Sequence, residues 1–357
     1  MDEATLRVDP VEVQEVLVGQ GILDGLPAMI GERLGGADQV IVVADENALR
    51  ASPRLGEALA SVDAHVVSVR GGEHVKSIDW VLGLIGILQS LEATRGSLLL
   101  AVGGGSLLDA AGFTASIYMR GMKHATIPST LLSMADAAIG GKNGVNHGGA
   151  KNILGCIRLP RLTLVDPLLL GGLPERHYRE GFAEIVKHAL LDSWERLEWL
   201  QARTRLLLAR NPEALEEVLA WSARFKAGVV ERDPFEERGL RAILNLGHTI
   251  GHAIEAATDA RVSHGEAVAA GLYLEALFSK HLGIAREDVP QQVRGALRAF
   301  HLDTRPPVEP ERLAARVGRD KKRRGDRILM PLLEEPGKVR LEWVPLDKLR
   351  SWLETLS

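Results

Sequence analysis

Three histidines and one glutamate are the first candidates for chemistry in this chain. His248 and His252 are four residues apart, so on a helix they share one face, and His264 follows twelve residues after His252. Glu184 lies in a separate, largely apolar segment. Because one carboxylate and two imidazoles form a typical open zinc site, these residues could bind a catalytic metal ion. A histidine pair that lies on one helix face and binds no metal explains the spacing equally well.

Two glycines lie beside these histidines. Gly247 and Gly251 would each cost a helix roughly 1 kcal/mol relative to alanine, so their presence predicts that another group approaches the helix closely. The HExxH motif is absent, so a zincin-type protease is not indicated.

A run of three glycines, residues 103–105, follows the apolar run 98–102. Glycines permit positive φ and let a phosphate approach the backbone, and a following helix N-terminus favours anions. We predict such a helix over residues 106–118, with Ser106 able to cap it. The segment departs from the GxGxxG fingerprint, so pyrophosphate binding and a simple tight turn both remain open.

Other acidic and basic residues follow predicted strands. Asp45 comes after the strand predicted at 40–43 and offers a carboxylate to a ribose diol, although an aspartate there could simply end the strand. Glu73 and Lys76 follow the strand at 65–69 and could contact the same cofactor. Two ordinary surface charges are the alternative.

Lysines and arginines are concentrated around glycine-broken sequence. Five polar residues lie within seventeen positions, namely Asp136, Lys142, His147, Lys151 and Asn152. Further cations lie in otherwise apolar surroundings, namely Arg120, Lys187, Lys226 and Arg241. Because buried cations are costly unless they are paired, the set predicts a substrate with more than one negative charge, and ordinary solvated lysines are the alternative. The basic run 321–324 is interpreted as a solvated loop.

Composition limits the classes of protein to consider. The 357 residues are 46% hydrophobic and 25% charged, with a formal net charge of −4, which gives no basic field for nucleic acid or anionic lipid. Cys156 is the only cysteine, which excludes an internal disulfide and multi-cysteine metal sites, and we interpret it as a small buried residue. We find no signal peptide and no apolar run near the ~20 residues that span a bilayer, and therefore expect a soluble cytoplasmic protein.

The elements that must position these residues fall into two parts. Up to about residue 166, short β-branched runs alternate with helical patterns, which is typical of a parallel sheet with helices on both faces. Residues 175–300 are almost wholly helical in pattern, and residues 328–343 contain a hairpin signal. We therefore expect an α/β domain over 1–170 and a mainly helical domain over 171–357, with the site between them at the carboxyl ends of the strands.

Several segments together resemble one known family. They are GGGSLLDAAGF, IPSTLLSMADAAIGGKNGVNH, AKNILG, GFAEIVKHALL, GLRAILNLGHTIGHAIE, SHGEAVAAG and RDKK. In this order and spacing they resemble the sugar-phosphate cyclases, and in particular the dehydroquinate synthase branch. The resemblance implies a Rossmann-like, parallel-sheet NAD domain, a mainly α-helical second domain, and usually a homodimer.

The resemblance also implies roles for individual residues. It separates the histidine pair, because the ligands of Zn²⁺ (or Co²⁺) fall on Glu184, His248 and His264, whereas His252 becomes a substrate-side group. Implied contacts to NAD are Asp45, Asn47, Glu73, Lys76, Gly104, Gly105, Asp109, Ser129, Thr130 and Asp136, with Lys142 and Lys151 also near the cofactor. Implied catalytic and substrate contacts are Lys142, Lys151, Asn152, Lys187, Lys226, Arg241, Asn245, His252 and Lys322. Arg120 resembles an arginine that reaches into the neighbouring subunit's site.

The implied reaction belongs to aromatic amino acid biosynthesis through the shikimate pathway. It converts 3-deoxy-D-arabino-heptulosonate 7-phosphate to 3-dehydroquinate by oxidation, phosphate elimination, reduction and aldol closure, with no net change in NAD. The alternatives are a cyclase acting on a sugar phosphate without a carboxylate, a polyol or glycerol-phosphate dehydrogenase of the same superfamily, and a non-catalytic descendant. Three departures from the family pattern are Gly172 and Ser129 in place of threonine, and one extra residue between Lys226 and Arg241.

Overall fold

A parallel sheet organises the first half of the chain. The computed structural model describes residues 13–258, 261–317 and 323–356. Its largest sheet has six parallel strands in the order β1-β8-β5-β4-β2-β3. In chain order the strands of this sheet are β1 (Glu15–Val18), β2 (Val40–Asp45), β3 (Ala64–Val69), β4 (Leu98–Gly103), β5 (Lys123–Pro128) and β8 (Leu162–Val165). The predicted α/β class is confirmed.

Helices cover this sheet on both faces. They are α1 (Leu26–Leu34), α2 (Glu46–Ala51), α3 (Pro53–Ala60), α4 (Ile78–Ser90) and α5 (Gly105–Ile117). Side chains alternate between the faces of a strand, so Ile41 and Val43 pack with Leu84 of α4, whereas Val42 belongs to the core on the other face. Continuous apolar strands are therefore buried on both sides, as the sequence predicted.

The second half is mainly helical, also as predicted. Its helices are α6 (Glu175–Glu180), α7 (Phe182–Asp192), α8 (Trp194–Ala202), α9 (Thr204–Leu208), α10 (Pro212–Arg232), α11 (His248–Ala257), α12 (His264–His281), α13 (Val289–Ala299), α14 (Pro310–Ala314) and α15 (Leu346–Glu354). The largest hydrophobic cluster continues from the sheet into these helices, and Phe182 stacks on Phe300 there with ring centroids 4.3 Å apart. The proposed division of the chain near residue 170 stays a prediction.

Two hairpins complete the fold. The predicted C-terminal hairpin is confirmed as β10 (Arg327–Glu335) paired antiparallel with β11 (Lys338–Pro345), and β9 (Arg323–Arg324) extends it. A second hairpin joins β6 (Lys142–His147) to β7 (Ala150–Ile157) through Gly148 and Gly149. Both of these glycines have positive φ, which a tight hairpin turn requires. This hairpin carries several candidate site residues, and it was not among the predicted elements.

Two local predictions were wrong. Ser106 lies inside α5, whose N-cap is Gly104, and its hydroxyl donates to Glu73 Oε2 at 2.8 Å. Cys156 is half-buried rather than fully buried, on β7, which pairs with β6 alone among the described strands. Within the described residues, no helix combines the length and the apolar content that a bilayer crossing requires.

Candidate functional site

The carboxyl ends of β2 and β4 lie side by side in the sheet. A Cβ built on Gly103 would lie 3.2 Å from Asp45 Cβ, so the two predicted cofactor segments meet here. The chain runs from β2 outward to β3 and then crosses back to β4, which makes this point a topological switch where open parallel sheets bind ligands. The predicted location at this edge of the sheet is consistent with the fold.

Two of the three glycines of the turn, Gly103 and Gly105, are needed for space rather than for positive φ. None of Gly103, Gly104 and Gly105 has a positive φ, which corrects that part of the prediction. A Cβ on Gly103 would meet Leu107 at 2.8 Å, and one on Gly105 would meet Ala137 Cβ at 3.0 Å. Because α5 begins at Gly105, its free N–H groups point toward the open end of the turn.

Residues around this turn are already linked by polar contacts. Lys76 is buried and its Nζ donates to Asp109 Oδ2 at 2.7 Å, so it is not an ordinary surface charge. Glu73 is exposed and accepts from Ser106 and from Asn146 Nδ2 at 2.8 Å. These contacts link the segments that follow β3 and β4 with each other and with the β6–β7 hairpin.

The other predicted cofactor residues lie on the same edge. The Asp45 side chain accepts from Asn47 N at 2.8 Å and thereby caps α2, as a strand-ending aspartate would. Ser129 N donates to Gly103 O at 2.9 Å, which places Ser129 and Thr130 beside the glycine turn. Gly172 lies where a Cβ would meet Ala51 O at 2.1 Å, so a threonine would not fit at this position.

Glu184, His248 and His264 converge, and each lies in the first turn of its helix. Glu184 is the third residue of α7, whereas His248 and His264 are the first residues of α11 and α12. Glu184 Oε1 is 3.5 Å from His248 Nε2 and 3.6 Å from His264 Nε2. This oxygen is buried and accepts no hydrogen bond within the described ranges, so a cation between the three side chains would satisfy it.

The electrostatics of these residues suit a metal site. Burial raises the pKa of Glu184, but Lys187 and the two histidines lower it by more, so the carboxyl ionises well below its usual range. Burial, together with Lys187, lowers the pKa of His248 well below its usual range, so its ring is neutral as a ligand must be. Burial lowers the pKa of His264, but the nearby carboxylates of Glu184 and Glu255 raise it by more, to about 10, so a bound metal would displace its proton.

A second group of possible ligands overlaps the first. His252, Glu255 and His264 also have ligand atoms within 4.8 Å of one another, as have Asp136, Glu184 and His188. His252 is exposed, whereas His248 is buried, and their rings lie 5.4 Å apart. The helix therefore does present both histidines toward one region, as their spacing predicted.

The glycines near the histidines allow α11 and α12 to approach closely. Gly247 was expected to lie inside the helix. It is instead the N-cap of α11, with a φ of 80°. A Cβ on Gly271 would lie 2.0 Å from Gly247 O, and one on Gly251 would lie 3.2 Å from Ala267 O. Glu275 accepts from Gly247 N at 2.7 Å and from Ile250 N at 3.0 Å, so α12 also caps the start of α11. The group whose close approach was predicted is thus α12.

The lysines of the cationic cluster have carboxylate partners within the chain. Lys226 Nζ donates to Asp136 Oδ1 at 2.6 Å, and Lys187 contacts Glu184 and lies 3.9 Å from the same Asp136 oxygen. Burial raises the pKa of Asp136, but Lys226 lowers it by more, and the carboxyl stays ionised. The cations are therefore compensated internally, so their number alone does not require an anionic substrate.

The β6–β7 hairpin brings two more lysines to this region. Lys142 Nζ donates to Glu236 Oε2 at 2.5 Å, and Asn245 Nδ2 donates to Glu236 Oε1 at 3.2 Å. Lys151 Nζ donates to Glu255 Oε1 at 3.0 Å. The neighbouring Asn152 is exposed, with a φ of 50°. The hairpin thus meets the helical part through ion pairs on two sides.

Arg241 anchors the loop that precedes α11. Its side chain donates to Pro234 O and to Gly140 O, both at 2.7 Å, and the residue is 2% exposed. Burial lowers the pKa of its guanidinium. In this arrangement Arg241 orders the backbone beside Glu236, with each terminal nitrogen donating one hydrogen bond to a carbonyl oxygen.

Two predicted substrate residues are not brought to this region by the described structure. Arg120 is exposed beyond the C-terminal end of α5, about 20 Å along the helix from Gly105. Lys322 lies outside the described residues.

Four residues near the site were missed by the sequence analysis. Asn146, Glu236 and Glu255 contact predicted site residues, and His188 is buried with Nδ1 2.7 Å from Ser222 Oγ. Burial, with a smaller effect of Lys187, lowers the pKa of His188 to about 3. A glutamate inside the apolar α11 was the available signal for Glu255. Glu236 gave none, because its loop is rich in charged residues.

Two family models match consecutive segments of the chain. Residues 66–180 match the family described as 3-dehydroquinate synthase N-terminal, and residues 181–323 match 3-dehydroquinate synthase C-terminal. A relative from Pyrobaculum aerophilum, named 3-dehydroquinate synthase, is 44% identical over 295 residues, which are 82% of this chain and 85% of the relative.

Two solved structures share the fold. The 2-epi-5-epi-valiolone synthase from Streptomyces hygroscopicus subsp. jinggangensis 5008, with NAD⁺ and Zn²⁺ bound, has a TM-score of 0.86 and 29% identity, covering 100% of this chain and 99% of that chain. A 2-deoxy-scyllo-inosose synthase complexed with carbaglucose-6-phosphate, NAD⁺ and Co²⁺ has a TM-score of 0.84 and 25% identity, covering 95% of this chain and 96% of that chain. From the family matches and the relative, the chain belongs to the 3-dehydroquinate synthase family.

Proposed function

We propose that this chain is a NAD- and metal-dependent enzyme that converts 3-deoxy-D-arabino-heptulosonate 7-phosphate to 3-dehydroquinate and phosphate, a carbon–oxygen lyase of the shikimate pathway. The observation that carries the proposal is the buried Glu184 Oε1, which accepts no hydrogen bond from the described part of the chain and faces two imidazole nitrogens, with two buried ammonium groups nearby. Family membership supplies the substrate class, because relatives with high identity carry the name 3-dehydroquinate synthase.

The donor set suits Zn²⁺ or Co²⁺, and the glycine turn suits a dinucleotide. Glu184, His248 and His264 would hold the metal ion, while the start of α5 and Asp45 would hold the pyrophosphate and a ribose of NAD. When bound, NAD would supply the oxidation and the matching reduction, and the metal ion would polarise a substrate oxygen. Structural neighbours solved with NAD⁺ and Zn²⁺ or Co²⁺ support this assignment.

The chain's own groups would bind and orient the substrate. Lys187 and Lys226 are buried and held by Asp136, so their ammonium groups are fixed where anionic oxygens would collect. Lys142 and Asn245 share Glu236, and an incoming anion of the substrate would replace this carboxylate as their partner. His252 is exposed beside the proposed metal site and would contact the substrate rather than the ion.

The carboxylate of the substrate distinguishes this proposal from a carboxylate-free cyclase. Lys226 and Asn245 are available as direct contacts, whereas Arg241 would act by holding the loop that presents Asn245. We also propose a homodimer in which Arg120, exposed at the far end of α5, completes the neighbouring subunit's site.

The test follows phosphate release and NADH absorbance together. The purified protein is incubated with 3-deoxy-D-arabino-heptulosonate 7-phosphate, NAD⁺ and Zn²⁺, and we expect phosphate release without lasting NADH, abolished by a chelator and restored by metal. Lasting NADH without phosphate would instead indicate a dehydrogenase. Phosphate release from sedoheptulose 7-phosphate or glucose 6-phosphate, but not from the acid substrate, would indicate a carboxylate-free cyclase.

Two lysine variants distinguish a specific role in the site from a general effect of removing a positive charge. Lys226→Met removes a buried ammonium, and we expect at least a hundredfold loss of kcat/KM, since electrostatic groups of active sites contribute about that much. Lys348→Met removes an exposed charge on α15 and serves as the control, with activity unchanged. Equal activity of the two variants would contradict the proposed role of Lys226.

A further inference from the structure

Glu255 is a buried carboxylate that the residue assignments above leave without a role. It lies near the C-terminal end of α11 and is 4% exposed. Its Oε1 is 3.4 Å from His264 Nδ1 on α12 and 3.0 Å from Lys151 Nζ on the β6–β7 hairpin. A buried charge is costly unless it is paired. The two contacts, which come from separate parts of the fold, compensate the cost of burying this carboxylate.

The two nitrogens of His264 face different carboxylates. Nε2 lies 3.6 Å from Glu184 Oε1, toward His248, whereas Nδ1 faces Glu255. A histidine that binds a metal through one nitrogen commonly donates its other N–H to a carboxylate, which fixes the tautomer and the orientation of the ring. The placement of Glu255 relative to His264 matches that arrangement.

The same geometry bears on whether Glu255 itself binds the ion. His252, Glu255 and His264 have ligand atoms within 4.8 Å of one another, so direct ligation is the competing interpretation. Glu255 Oε1 already accepts from Lys151, whereas Glu184 Oε1 is buried and accepts no hydrogen bond from the described residues. A cation therefore gains more from Glu184, which leaves Glu255 beside the ligand rather than in its place.

We propose that Glu255 is a positioning residue that holds the His264 ring with Nε2 toward Glu184 and His248, and that links this ring to Lys151 of the hairpin. The proposal rests on the metal centre of the proposed function. It assigns to α11 both a candidate ligand, His248, and the group that orients the ligand on α12.

The test measures Co²⁺ binding rather than turnover. Metal-free protein is titrated with Co²⁺ against a chromophoric chelator, and the visible d–d band reports the coordination geometry. For Glu255→Ala we expect a 10- to 100-fold higher Kd and an altered band, as outer-shell partners of metal-binding histidines typically contribute about this much. Glu255→Gln keeps an acceptor for Nδ1–H and should restore the band and most of the affinity.

Two further variants keep the outcome clear. Glu255→Asp keeps the charge but shortens the side chain, and we expect it to weaken Co²⁺ binding as Glu255→Ala does; it decides the question if Glu255→Ala does not fold. Glu180→Ala is the matched control, because Glu180 is also buried and contacts a histidine, His177 Nδ1, at 2.9 Å outside the proposed centre. Its Kd and band should be unchanged.

Three results would overturn the proposal in distinguishable ways. An unchanged Kd and band in both Glu255→Ala and Glu255→Asp would show that Glu255 does not orient His264. A loss as complete as that of Glu184→Ala would show that Glu255 binds the ion directly. Failure of the unaltered protein to bind Co²⁺ would remove the proposed metal centre itself, and the role of Glu255 with it.

Discussion

Asp136 lies between two buried ammonium groups, and its charge matters for stability as well as for chemistry. Its Oδ1 is 2.6 Å from Lys226 Nζ and 3.9 Å from Lys187 Nζ. Asp136→Asn would leave Lys226 without an anionic partner, and breaking a buried pair in this way costs about 3 kcal/mol. We expect the free energy of unfolding, measured by denaturant titration, to fall by about that amount.

The control for Asp136→Asn is an ion pair on the surface. Glu287 contacts Lys280 but is 85% exposed, and such pairs contribute about 0–1 kcal/mol, so Glu287→Gln should change little. Similar losses in the two variants would mean that Asp136 does not compensate a buried charge.

His124 makes stability depend on pH in a direction that can be worked out. Burial, with Arg158 adding to it, lowers the pKa of His124 to about 3, whereas an unfolded histidine titrates near 6.5. Below about pH 6.5 the unfolded state binds the proton more tightly, so the stability that neutral His124 confers is complete above that pH and is lost as the pH falls toward 3.

We therefore expect His124→Gln to flatten the pH profile. Between pH 7 and pH 4 the unaltered protein should lose about 3 kcal/mol more free energy of unfolding than the variant, measured by denaturant titration at each pH. His65→Gln, at an exposed position of β3, is the control and should keep the original slope. A parallel profile for His124→Gln would contradict the prediction.

At the scale of single residues, the sequence identified the candidate site residues but not the groups that they contact. Histidine spacing and apolar surroundings indicated Glu184 and the three histidines as a possible site, and the family resemblance then selected His248 and His264 as ligands over His252. The carboxylates opposite the lysines, such as Glu236 and Glu255, were missed, because a partner contributed by a distant segment leaves no pattern in the local sequence.

Among the elements, α11 and α12 depend on a close backbone approach. A Cβ on Gly271 would lie 2.0 Å from Gly247 O and 2.8 Å from Gly251 N. Gly271→Ala must therefore separate the helices whose first residues are His248 and His264, and we expect a loss of stability of at least about 1 kcal/mol together with weaker Co²⁺ binding. Calorimetry and the chelator competition measure the two effects.

A glycine in open space provides the comparison for Gly271→Ala. Gly228 lies inside α10 and a Cβ there would meet nothing within 4 Å, so Gly228→Ala should stabilise the protein by roughly 0.5–1 kcal/mol. A stabilised Gly271→Ala variant would show that the helix contact is looser than the structure indicates.

Elements with strong hydrophobic periodicity were predicted well. Strands β2, β3 and β4, helix α5 and the C-terminal hairpin lie where the sequence placed them. The β6–β7 hairpin was missed because its residues are polar and glycine-rich, so the alternation that marks a strand is absent. Its Gly148-Gly149 turn was the signal that could have revealed it.

For the whole molecule, the proposed role of Arg120 leads to a complementation experiment. If Arg120 completes the neighbouring site, Arg120→Ala and Lys187→Ala subunits are each inactive alone, but a mixed dimer contains one site with every group intact. Random reassociation should then restore about a quarter of the original activity. No recovery on mixing, with mixed dimers confirmed by native mass spectrometry, would mean that Arg120 does not act across subunits.

The placement of Glu184, His248 and His264 has a consequence for motion. The first turn of a helix is prone to fraying, and this centre would be built from the first turns of three different helices. An ion bound there would cross-link the N-terminal turns of the three helices. Its removal should therefore speed hydrogen exchange of the first amides of α7, α11 and α12 together, while amides in the middle of α10 keep their protection. Occupancy of the site could then be followed by mass spectrometry, without substrate and without turnover.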